Sequence, residues 1–79
     1  MEPITYKQYI IYRWYVVRNT MTKKIIGEYP TAKEAMKNCP CYCDVKAACA
    51  ERIDADGNLN HVVYAHNMTV AVRKLKSIL

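Results

Sequence analysis

The stretch from Thr5 to Val17 constrains this chain more than any other. Tyr6, Tyr9, Ile10, Ile11, Tyr12, Trp14, Tyr15, Val16 and Val17 are residue types enriched in strands, so the run predicts one long strand. It is apolar on both sides. One side carries Tyr6, Ile10, Tyr12, Trp14 and Val16; the other carries Tyr9, Ile11, Tyr15 and Val17, interrupted by Arg13. A chain of 79 residues buries only roughly 60% of the surface its unfolded form exposes, which allows one modest core and a single domain over residues 1–79. Helices enough to cover one side of a small sheet leave the other side needing a partner.

The rest of the pattern supplies those helices. Asn19-Thr20-Met21-Thr22 is a polar turn, after which Lys24 to Tyr29 returns as the second arm of a hairpin and Pro30 stops it. Thr31-Ala32-Lys33-Glu34 matches a capping box and predicts a helix from Ala32 to about Cys39, ended by Pro40. Val45, Ala47, Cys49 and Ile53 alternate with Lys46, Ala48, Ala50 and Arg52, which reads as a third strand with a helix as the competing reading. Asp56-Gly57 favours a hairpin turn into a fourth strand, Leu59 to Ala65. Asn67 can cap a final helix with an apolar stripe of Met68, Ala71 or Val72, Leu75 and Ile78 or Leu79. The expected fold is α+β: a small antiparallel sheet with two helices, in ββαββα order.

An apolar content of 52% with 24% charged residues excludes a disordered chain. The longest apolar runs, such as Trp14 to Val17 and Val62 to Ala65, are four residues, so no bilayer-spanning helix is expected. Met1-Glu2-Pro3-Ile4-Thr5-Tyr6-Lys7 is neither a basic leader nor an apolar block. The chain is therefore expected in the cytoplasm. There Cys39, Cys41, Cys43 and Cys49 read as thiols or metal ligands rather than disulfides.

Chemistry-bearing motifs are sparse. Cys39-Pro40-Cys41-Tyr42-Cys43, with Cys49 beyond, could gather thiolates on a soft metal, but paired C-x2-C knuckles are missing and packed or surface thiols are the simpler reading. His61 and His66, five apart on a strand, should face opposite ways. Asp54-Ala55-Asp56-Gly57-Asn58 lacks the glycine and glutamate positions of a calcium loop. With one serine, Ser77, and only Gly27 and Gly57, neither a nucleophile elbow nor a phosphate cradle is present. No cofactor and no catalysis are expected.

Binding is the remaining class. The chain has seven Tyr and one Trp but no Phe, the aromatics suited to surfaces that are dry on one side and wet on the other. The strand side carrying Tyr9, Ile11, Arg13, Tyr15 and Val17, aromatics around an arginine, is expected to be the uncovered one and to serve a protein partner or a second copy of the chain. Charge suggests a rival. The net charge is +4 over residues 1–27, −2 over 28–56 and +3 over 57–79, so Arg13, Arg18, Lys23, Lys24, Arg73, Lys74 and Lys76 are candidates for a nucleic acid or other anionic partner.

Across Gly27-Glu28-Tyr29-Pro30-Thr31-Ala32-Lys33-Glu34-Ala35, and again at Ile53-Asp54-Ala55-Asp56-Gly57-Asn58, the chain resembles small accessory proteins of phages and mobile elements. Its layout is similar to that of some anti-CRISPR inhibitors, small α+β proteins that block a host nucleoprotein complex without catalysis. The resemblance implies a host protein or nucleoprotein complex as partner, and assigns no site residue.

Overall fold

A computed structural model describes residues 3–52 and 58–79. Among the described residues the elements run β1 (Ile4–Tyr6), β2 (Tyr9–Asn19), β3 (Ile25–Tyr29), α1 (Ala32–Lys37), β4 (Cys43–Arg52), β5 (Leu59–Ala65) and α2 (Met68–Ile78). The fold is α+β as expected, with one strand more than the sequence pattern predicts. The expected first strand is two, because the chain reverses at Lys7-Gln8 and Tyr6 pairs with Tyr9. A two-residue hairpin needs positive φ, and Lys7 adopts it at 54° without a glycine or asparagine to advertise the turn.

β2 is the central strand. β1 and β3 both pair antiparallel with one edge of it, β1 against Tyr9–Ile11 and β3 against Tyr15–Arg18, while β4 lies along its other edge and β5 pairs with β4. The stretch 43–52 is therefore strand and not helix. The β2–β3 turn is built by Asn19, whose Oδ1 accepts from the amides of Met21 and Thr22 at 2.9 and 3.0 Å. Within β3, the Tyr29 ring folds over Gly27, where a Cβ would come within 2.9 Å of it. The turn expected at Asp56-Gly57 lies outside the described residues.

Both helix starts are where capping chemistry places them. Thr31 Oγ1 accepts from the Glu34 amide at 3.2 Å, and Asn67 Oδ1 from the Val70 amide at 2.9 Å. α1 ends at Lys37 with Asn38 as its cap, slightly earlier than the sequence suggests. In α2 the buried stripe is Ala71 and Leu75, flanked by half-buried Met68, Val72 and Leu79, while Ile78 is exposed.

Register decides which side of the sheet these helices cover. Ile11, Arg13, Tyr15 and Val17 stand opposite Glu51, Cys49, Ala47 and Val45, and Cys49 and Ala47 in turn oppose Val63 and Ala65. Leu75 and Ala71 pack onto Ile11, Ala47, Cys49 and Ala65 as the core. α1 lies on the same side, where Ala32 and Met36 share a cleft with Tyr15, Val45 and Ala47. The side expected to be open is thus the covered one.

Leu75 is fully buried, so Leu75→Ala should cost about 2–5 kcal/mol in a urea titration. Tyr15 packs against the core, so Tyr15→Asp, which buries a charge there, should abolish cooperative unfolding rather than act on a surface.

Candidate functional site

The opposite side of the sheet is built from the even-numbered residues of β2 and their partners. Ile10, Arg52 and Leu59 form one cross-strand row; Trp14, Ala48 and Tyr64 form another; Tyr12 stands opposite Ala50 between them. Val62 belongs to the same side by alternation from Tyr64. Among the described residues neither helix lies on this side. Yet Ala48 and Ala50 are fully buried, which only their larger neighbours can accomplish. Ile10, Leu59, Val62 and Tyr64 are left exposed, at 37–42% of their full surfaces. This is an apolar and aromatic platform with alanines as its floor.

Charges on this face are already engaged. Arg52 Nη1 donates to Tyr12 Oη at 2.5 Å, with its guanidinium carbon 5.7 Å from the Tyr12 ring centre. At the far end Asp44 stands between Arg18 and Lys46, at 3.8 and 3.7 Å. Trp14 Nε1 is buried without an acceptor among the described residues. Beside Trp14 a hollow of about 380 Å³ is lined also by Arg13, Glu28, Tyr29, Pro30 and Leu59.

Of the residues expected at the partner face, Arg13 borders the hollow beside Trp14, and the other four lie on the covered side. Ile11 and Val17 are fully buried under the helices, Tyr15 and Tyr9 are half-buried on the same side, and Arg13 lines a cleft beside α2. The basic candidates do not form one patch. Arg13, Arg73 and Lys76 share that cleft, Lys23 and Lys24 lie in the exposed β2–β3 turn, and Lys74 Nζ points to the Tyr64 carbonyl at 3.4 Å. Arg18 is on the open face with Asp44.

The cysteines divide in the same way. Cys39, Cys41 and Cys43 sit around a turn closed by the Cys43 amide donating to the Pro40 carbonyl at 3.0 Å, whereas Cys49 is in the core. All four are free thiols. Among the described residues no three of His, Cys, Asp and Glu are grouped to hold an ion. The Cys43 thiol is pushed up by desolvation and, less strongly, by Cys39, Asp44 and Cys41. Burial raises Cys49 to about 11 against the smaller opposing effect of Arg13, which keeps it protonated at neutral pH.

One polar arrangement has no sequence signature. Glu51, 3% exposed, accepts from Asn60 Nδ2 at 3.0 Å and meets His61 Nδ1 at 2.5 Å. A register shift in the β4–β5 ladder brings Asn60 opposite Glu51: His61, at φ 52°, and Val62 together face Ala50, a bulge that leaves both Asn60 and His61 on the carboxylate. Without the shift, the register of Cys49 with Val63 would pair Glu51 with His61 alone.

Comparison with known proteins finds no family model, curated protein or solved structure that matches this chain. Among the described residues no helix is long and apolar enough to cross a membrane.

Thiol labelling followed by mass spectrometry should separate the two cysteine classes: Cys41, exposed, reacts first at neutral pH, and Cys49 only on unfolding. Because Cys49 rises from 9.0 to about 11, the folded chain holds a proton that the unfolded chain releases in that interval. Stability should therefore fall as pH rises through it, and Cys49→Ser should flatten that part of the profile.

Proposed function

We propose that the chain is a small non-catalytic binding module that docks a host protein or nucleoprotein complex through its open sheet face, in the manner of the anti-CRISPR inhibitors it resembles. The observation that carries this reading is the uncovered platform of Ile10, Tyr12, Trp14, Leu59, Val62 and Tyr64. Trp, Tyr and Arg are the residues that dominate binding energy at protein interfaces, and they concentrate in such desolvated centres. The hollow beside Trp14 offers a partner's side chain a seat.

Charge distinguishes a protein from a nucleic acid here. A base-stacking platform needs cations free to neutralise phosphates. On this face Arg18 and Lys46 already face Asp44, and Arg52 is bonded to Tyr12. A partner that supplies apolar surface with few charges fits better. Catalysis has little support either, since the Cys49 thiol is protonated and buried.

Immobilised protein should retain one discrete partner from host extract. Trp14→Ala and Tyr64→Asp should each weaken that complex by about 2 kcal/mol or more, roughly thirtyfold, with unchanged circular dichroism, while Lys33→Glu on α1 should leave it intact. Two results would replace the reading. Sedimentation showing a dimer that Tyr64→Asp dissociates would make a second copy the occupant of the face. Tight binding of random single-stranded oligonucleotide with a steep salt slope would make nucleic acid the partner.

A further inference from the structure

The two helices cover the same side of the sheet, but α1 rests on β2, β3 and β4 whereas α2 rests on β4 and β5. β4 is the strand they share. Over its first half, where Val45 and Ala47 face the helices, a cleft of about 480 Å³ opens between the two. Its floor is apolar, since Ala47 is buried and Val45 half-buried beside the ring of Tyr15.

The walls are thioethers, Met36 contributed by α1 and Met68 by α2. Sulfur is polarizable and packs favourably against aromatic rings, and the unbranched Met36 side chain, 67% exposed, can fold onto whatever occupies the cleft. Such walls suit a flat aromatic body. Among the described residues that line the cleft there is no Asp, Glu, Lys or Arg, so a charged group entering it would give up water without meeting a counter-charge. A neutral occupant avoids that cost.

Polar side chains other than Tyr15 are the consecutive pair His66 and Asn67, which places them at one end, where the chain enters α2. Asn67 spends its Oδ1 on the Val70 amide at 2.9 Å and keeps its Nδ2 group as a donor, while the His66 imidazole adds a second hydrogen-bonding group. We propose that this cleft binds a small neutral aromatic molecule that carries one hydrogen-bonding group, of the size of a two-ring phenol. The volume lies toward the lower end of the range of small-molecule sites, and an apolar lining with a few polar groups at one place is their usual composition. The cleft is on the covered side of the sheet, so the proposal is independent of the open-face reading and stands or falls separately.

The test is an NMR titration of the isotope-labelled full chain at neutral pH with 2-naphthol, 2-naphthoate and cyclohexanol. The first compound should bind saturably, with amide shifts concentrated at Met36, Val45, Ala47 and Met68. Naphthoate keeps the rings but adds a charge, and cyclohexanol keeps the hydroxyl but lacks the rings, so each should bind about tenfold more weakly or worse. Met36→Ala, a helix-compatible change at an exposed position, should weaken 2-naphthol about fivefold, and Lys33→Gln on the same helix should not. The ranking of the three compounds is read on the unaltered chain and does not depend on how any variant folds. Absence of a saturable shift, shifts concentrated at Trp14, Leu59 and Tyr64 of the open face, equal affinity for the three compounds, or equal effects of the two substitutions would each overturn the proposal.

Discussion

The antiparallel ladder between β2 and β4 runs through ten residue pairs, from Ile10 opposite Arg52 to Asn19 opposite Cys43, and joins segments separated by a hairpin and a helix. Its register aligns Ile11, Tyr15 and Val17 with Glu51, Ala47 and Val45, so that one side of the sheet becomes continuous enough for Ala71 and Leu75 to pack on. A shift of one residue would turn every one of these side chains to the other side. The helices, the core and the open face all follow from that single alignment.

Local chemistry was legible in the sequence where a few neighbouring residues decide the outcome. The caps at Thr31 and Asn67, the turn at Asn19 and the alternation through Val45, Ala47 and Cys49 each depend on contacts within a handful of residues. Covering of the sheet was not legible. The central strand is apolar on both sides, so its own pattern does not choose, and the choice passes to a non-local pairing. One signal pointed the right way: Lys46 and Arg52 mark the solvent side of β4, and Ile10, Tyr12 and Trp14 share that side once β2 and β4 are aligned. The Lys7 turn and the His61 bulge were hidden for another reason. Both place non-glycine residues at positive φ, a backbone state that their side chains do not announce.

The open face and the core resemble each other in residue type but differ in residue size. Where the helices pack, β4 contributes Ala47 and Cys49, which leave room for Leu75 to approach the sheet. On the other side Ala48 and Ala50 occupy the same strand, and among the described residues no helix brings a leucine over them; Trp14, Tyr12 and Tyr64 stand beside them instead. These long, rigid rings bury alanines at the cost of leaving their own outer surfaces in contact with water. A sheet side that is dry at its floor and aromatic at its top loses little conformational entropy when a partner closes over it, because the rings are already constrained by their neighbours.

Acidic residues are distributed so that the two sides differ in charge as well as in covering. Asp44 stands between Arg18 and Lys46 on the open side, and Glu51 is occupied by Asn60 and His61 at the bulge. α2 contains no acid at all, only Arg73, Lys74 and Lys76. The excess of +5 carried by the whole chain therefore does not spread evenly. On the open side Asp44 is shared by Arg18 and Lys46, and Arg52 is held by the neutral Tyr12 hydroxyl, so the face keeps a modest positive charge whose groups already have neighbours. One small sheet thus presents an apolar and aromatic surface on one side, while Arg13, Arg73 and Lys76 line a cleft beside α2 on the other.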